Sequence, residues 1–158
     1  MAEIQDPENT LIMDTTQGRV VIQMRPDLAP NHVARIKELV REGFYDGIVF
    51  HRVIDGFMAQ TGCPYGTGTG GSGKKLRAEF NSEPHVRGTV SMARAASPDS
   101  ADSQFFICFD DARFLDGQYT VWGHVIEGME NVDKIKRGEP VVNPDWITSM
   151  RVAADVVG

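Results

Sequence analysis

The chain has 158 residues, 41% of them apolar and 24% charged, with a formal net charge of −6. That length and balance fit one globular domain, residues 1–158, and exclude a disordered or fibrous chain. Two cysteines exclude a disulfide scaffold, and the carboxylate excess argues against nucleic acid as a partner, since phosphate binding draws on clustered Lys and Arg.

Residues 1–9 are acidic, lack the apolar run of a secretory signal and read as a loose lead-in. No stretch approaches the roughly 18 apolar residues of a membrane span, so no membrane partner is expected and the expected location is cytoplasmic. Thr10–Thr16 and Arg19–Met24 are predicted strands joined by a Gln17-Gly18 turn. After Pro26 and Pro30, Asn31 is placed to cap a helix that presents Val33, Ile36, Leu39 and Val40 on one face and stops at Gly43. Further strands are expected at Ile48–Ile54, Phe57–Thr61, Thr89–Ala93, Gln104–Phe109, Tyr119–Ile126 and Trp146–Ala153. A second helix is expected over Met129–Lys136, turning Met129, Val132 and Ile135 inward. Many short strands with only two helices point to a barrel or sandwich.

Residues 62–73 hold most of the glycine in their region and form no predicted element. Gly66–Gly71 matches GxGxxG, and Gly68–Lys74 matches the start of a P-loop. Yet Lys75 stands where a P-loop has Ser or Thr, and residues 76–84 are too broken for the helix that both motifs need. A surface loop is the better reading. No GxSxG elbow supports a Ser-His-Asp hydrolase. His51 reads as a structural residue of its strand, and neither Cys63 nor Cys108 carries a sequence mark of thiolate activation.

Two segments combine charge, amide and aromatic groups in a way that composition does not explain. One is FHRVIDGFMAQTG at residues 50–62, and the other is SQFFICF at 103–109. Together with GTGTGGSG, GTVSMARA and FLDGQYTVWGHVIEGM, in that order along the chain, they resemble the cyclophilins, bacterial members in particular. The resemblance implies a mainly β fold, a closed eight-stranded antiparallel barrel with a helix covering each end and the substrate in an outer groove. It implies a peptidyl-prolyl cis/trans isomerase that assists folding, works as a monomer and calls for no metal, nucleotide or organic cofactor. The partners implied are proline-containing segments of unfolded or flexible polypeptides.

Carried over by motif, Arg52 is the catalytic arginine, with Gln60 holding it or the substrate carbonyl. Phe57, Met58, Phe106 and Leu115 correspond to the proline pocket, and Gln104 to a polar groove residue. Ala93 and Arg94 match the strand segment beside the peptide, while Ala95 and Gly68 match the neighbouring subsite. Phe114 and Tyr119 complete the substrate-binding set, but many cyclophilins carry tryptophan and histidine there, and asparagine in place of Arg94. Without an indole N–H at Phe114, cyclosporin is expected to bind weakly. A non-catalytic proline-peptide binding module is the rival reading. Retention of Arg52 argues against it, because binding alone needs only an apolar pocket and backbone contacts.

Overall fold

The computed structural model describes residues 6–156. Eight strands run in the order β1 Thr10–Thr15, β2 Gly18–Met24, β3 Arg52–Ile54, β4 Met58–Thr61, β5 Thr89–Met92, β6 Phe105–Cys108, β7 Val121–Glu127 and β8 Ile147–Val152. They form one sheet of order β3-β4-β6-β5-β7-β2-β1-β8, antiparallel at every step, that curls into a half-barrel. The edge strands meet through a seam rather than a ladder. Val49 bridges Trp146, Phe50 N–H donates to Asp145 O at 2.9 Å, and Ile147 N–H donates to Ile48 O at 2.8 Å. Pairing stops there because Pro144 has no N–H to offer and Asn143 takes a left-handed φ of 52°. Residues 48–50 therefore contribute a bridge instead of the expected strand.

Helix α1, Pro30–Arg41, lies against β8, and α2, Met129–Val132, lies against β2. Four local expectations need correction. Helix α1 starts at Pro30, whose ring presets the first helical φ, so Asn31 lies inside the helix rather than capping it. The cap comes from afar: the Glu79 carboxylate accepts the N–H groups of Asn31 (3.2 Å) and His32 (2.9 Å) and pairs with His32 Nδ1 at 2.6 Å. Helix α2 ends four residues early because Lys134 and Ile135 donate to carbonyls three residues back, although Val132 and Ile135 are buried as expected. The first hairpin turns at Thr16-Gln17, with Gly18 already paired to Thr15. Finally, Pro7–Asn9 is a short 3₁₀ helix rather than a loose lead-in, and Glu8 pairs with Arg41; residues 1–5 of that lead-in lie outside the described residues.

Strand alternation divides the apolar residues between two cores. Val53, Ala59, Phe105 and Ile107 face the main core with Phe50, Trp122 and Met150. Their neighbours Met58, Phe106 and Cys108 turn to the other face and form a second cluster with Ala112, joined by Phe57, Ala93, Leu115 and Tyr119. All four residues of β6 are buried, because both of its faces are covered.

Residues 62–73 form a loop folded around two internal acceptors. Cys63 Sγ accepts the N–H groups of Gly68 and Gly70, each at 3.3 Å. The Asp102 carboxylate accepts those of Ser72 (2.8 Å) and Gly73 (3.0 Å). The donors that a phosphate-binding loop would aim at a ligand are thus used within the fold. At Gly71 any side chain would collide, since a Cβ would lie 2.6 Å from Asp102 Oδ2. Burial raises the Cys63 thiol, but the N–H groups of Gly70, Thr67, Tyr65 and Gly68 outweigh it and bring the pKa down to about 7. Cys63 is thus made more acidic by backbone groups that no local motif announces.

Because the folded chain gives up this proton below the ordinary value of 9.0, stability should rise from pH 7 to pH 9 and be lost as pH falls through about 7. Two units correspond to at most about 2.7 kcal/mol. Urea melts across this range should show that rise in the wild type and a flat profile in Cys63→Ser; parallel profiles would show that Cys63 stays protonated.

Candidate functional site

The register of the sheet lines up one row of side chains across three strands. Arg52 on β3 stands opposite Gln60 on β4, and Gln60 stands opposite Phe106 on β6. Arg52, Phe57, Met58, Gln60, Ala93, Arg94, Phe106, Leu115 and Tyr119 line one hollow of about 120 Å³ on the outer face. Its floor is apolar and buried: Met58 is 2% exposed and Phe106 5%. Burial pushes the Cys108 thiol up to about 12, so beneath this floor it acts as a neutral apolar group.

The guanidinium is held on two of its three nitrogens. Nε donates to Glu139 Oε2 at 2.5 Å, and Nη1 donates to Gln60 Oε1 at 3.2 Å. Gln60 Nε2 donates to Gln104 Oε1 at 2.9 Å, and Gln104 Nε2 donates to the carbonyls of Gly68 (3.0 Å) and Gly70 (2.9 Å). A chain of hydrogen bonds through two side-chain amides therefore runs from the guanidinium to the glycine loop, whose Gly68 and Gly70 N–H groups are fastened to Cys63. Among the described residues, none accepts a hydrogen bond from Nη2.

A second hollow of about 260 Å³ adjoins the first, sharing Gln60, Ala93 and Arg94 with it. Gly68, Ala95 and Gln104 line it, together with Lys75 and Asp102. Phe114 lies outside the lining of both hollows. It is 68% exposed and packs against Phe57 with ring centroids 5.6 Å apart. Arg94 folds over the Tyr119 ring at 4.7 Å and donates to Gln118 O, so its charge is spent on the wall.

Sequence reasoning missed three contributors. His85 is fully buried behind the hollow, stacked on Phe106 at 6.1 Å and bonded to Ser91 and Asp116. Burial holds its imidazole below the ordinary value, while the Arg113 bond holds Asp116 at about 2. Glu139 and Cys63 are the other two. His85 and Glu139 reach the site through contacts distant in the chain, Cys63 through backbone N–H groups that only the folded loop aims at it, and no local pattern marks any of them.

Comparison with known proteins agrees with this geometry. The family described as "Cyclophilin type peptidyl-prolyl cis-trans isomerase/CLD" matches residues 10–153. A probable peptidyl-prolyl cis-trans isomerase of Brucella suis is 55% identical, covering 98% of this chain and 87% of its own. A peptidyl-prolyl cis-trans isomerase of Helicobacter pylori is 47% identical over 86% of this chain and 85% of its own. The crystal structure of the cyclophilin AquaCyp293 from Hirschia baltica superposes with a TM-score of 0.89 at 34% identity, covering 96% of this chain and 76% of its own. A cyclophilin-type isomerase from Cryptosporidium parvum, crystallised in the presence of the dipeptide Ala-Pro, superposes at 0.84 with 27% identity, over 90% and 98% of the two chains. This chain belongs to the cyclophilin-type peptidyl-prolyl cis-trans isomerases.

Proposed function

We propose that Arg52 drives the isomerisation by donating a hydrogen bond to the proline nitrogen while the amide is twisted. An X–Pro bond rotates over a barrier of ~18–20 kcal/mol because rotation breaks amide resonance. On twisting, the nitrogen regains its lone pair and becomes a better acceptor, so a fixed donor beside it binds the twisted form more tightly than either planar one. The observation that carries this reading is the guanidinium set at the rim of the Phe57, Met58, Phe106 and Leu115 hollow, with Nη2 uncommitted. In this reading the hollow grips the pyrrolidine ring and lowers the dielectric around the donor, and Gln60 steadies both the arginine and the substrate carbonyl. Ala95, Gln104 and Gly68 receive the residues before proline.

The magnitudes fit. A ten-thousandfold acceleration needs about 5.4 kcal/mol of differential binding. A charge-assisted hydrogen bond supplies roughly 1.5–3 kcal/mol of it, and positioning in a dry site supplies the remainder. No step in this scheme needs a cofactor. Substrates are accessible X–Pro bonds in unfolded or flexible chains, which fits a monomeric folding catalyst of the cytoplasm. That compartment suits two unpaired, buried cysteines. Among the described residues, no helix is long and apolar enough to cross a membrane.

NMR exchange on an Ala-Pro peptide tests the scheme. Wild type should accelerate cis/trans exchange, and a folded Arg52→Ala variant should lose at least about 100-fold of that acceleration, equivalent to about 2.7 kcal/mol. Peptide binding without accelerated exchange in the wild type would instead identify a binding module. Phe114→Trp, which adds an indole N–H at an exposed rim position, should tighten cyclosporin binding by about tenfold in calorimetry, the worth of one ordinary hydrogen bond. Unchanged affinity would mean that another groove difference governs it.

A further inference from the structure

We infer that Glu139 is a positioning residue for the isomerisation: its carboxylate fixes the Arg52 guanidinium so that the remaining N–H groups face the proline hollow. The inference rests on the reading of Arg52 as the donor to the substrate.

The fold delivers this carboxylate deliberately. Val53 and Gly138 exchange both backbone hydrogen bonds at 2.8 Å, and Val141 N–H donates to His51 O at 3.1 Å. The 138–141 segment is thus tied to β3 and its approach on either side of Arg52, and Glu139 lies between the two ties. From there its Oε2 accepts from Arg52 Nε at 2.5 Å. The contact belongs to a larger hollow beyond Arg52, lined by His51, Arg52, Gln60, Gly66–Gly68, Glu139 and Pro140, which meets the proline hollow at Arg52 and Gln60.

An unrestrained arginine on a three-residue strand would be a poor catalyst. Its side chain is 41% exposed and has four rotatable bonds to spread over, and a donor misplaced by an ångström forfeits much of its effect on the transition state. Gln60 alone holds one nitrogen and leaves the plane free to swing about that contact. A second tether at Nε, on the edge of the guanidinium opposite the Nη1 contact with Gln60, fixes the plane from both sides. An exposed ion pair contributes little to stability, so the natural consequence of this one is orientation. The effect should therefore appear in turnover and not in binding, because the tether matters most when the twisted amide must find its donor.

The test compares wild type, Glu139→Ala and Glu139→Gln on an Ala-Pro peptide. Readouts are exchange at saturating peptide, peptide affinity, thermal melts and the Arg52 Nε–Hε NMR signal. Glu139→Ala should melt like the wild type, bind peptide within about twofold, lose about tenfold in exchange rate, and broaden the Nε–Hε signal through faster solvent exchange. Glu139→Gln, which keeps an acceptor oxygen at the same reach, should recover all but about threefold of the rate. Full activity in Glu139→Ala, a loss confined to peptide affinity, or unfolding of that variant would each overturn the inference. Should the wild type itself fail to accelerate exchange, the isomerisation scheme falls rather than this role alone.

Discussion

Everything at the site follows from the register of three short strands. Val53, Ala59, Phe105 and Ile107 are committed to the main core, and a strand's side chains alternate, so Arg52, Gln60, Met58 and Phe106 have no choice but the opposite face. A slip of one residue in β4 would bury Gln60 and expose Ala59. The energy that holds the barrel together is therefore the energy that holds an arginine beside an apolar slot, and no separate scaffold is needed for the catalytic row.

Around that row, the structure spends its polar contacts on fixing position. Arg52 is tied to Glu139 and Gln60, Gln60 to Gln104, Gln104 to the carbonyls of Gly68 and Gly70, and the N–H groups of the same two glycines to Cys63. Gly68 takes a left-handed φ of 88°, and a Cβ at Gly70 would collide with the Tyr65 ring, as one at Gly71 would lie 2.6 Å from Asp102 Oδ2. A loop that resembles a phosphate cradle is in fact an anchored wall of a peptide groove.

What the sequence revealed and what it hid divide along chain distance. Periodicity located every strand core and helix α1, since Val33, Ile36, Leu39 and Val40 carry their pattern locally. The string around Arg52 and that around Phe106 pointed to the groove, and the structure brings Phe57, Met58, Leu115 and Tyr119 to one hollow with them. Glu79 capping a helix 47 residues away, Glu139 reaching Arg52 across 87 residues, and His85 backing Phe106 were invisible, because nothing near them in sequence encodes their partners. Cys63 carried no mark in the sequence for a different reason. Its lowered pKa comes from nearby backbone N–H groups whose directions are set by the folded loop, not by residue type. Phe114 was expected in the binding set and stands at its rim, because its 3₁₀ turn directs Leu115 inward instead.

The account stands or falls on the charge of one side chain next to an apolar pocket. Replacing Arg52 by citrulline through semisynthesis keeps the planar shape and most of the N–H groups but removes the positive charge. Measured by NMR line shapes on a proline peptide, on-enzyme interconversion should slow by at least about 100-fold, about 2.7 kcal/mol, with affinity for the two planar isomers held within about threefold. Interconversion at the wild-type rate in the neutral variant would contradict the account.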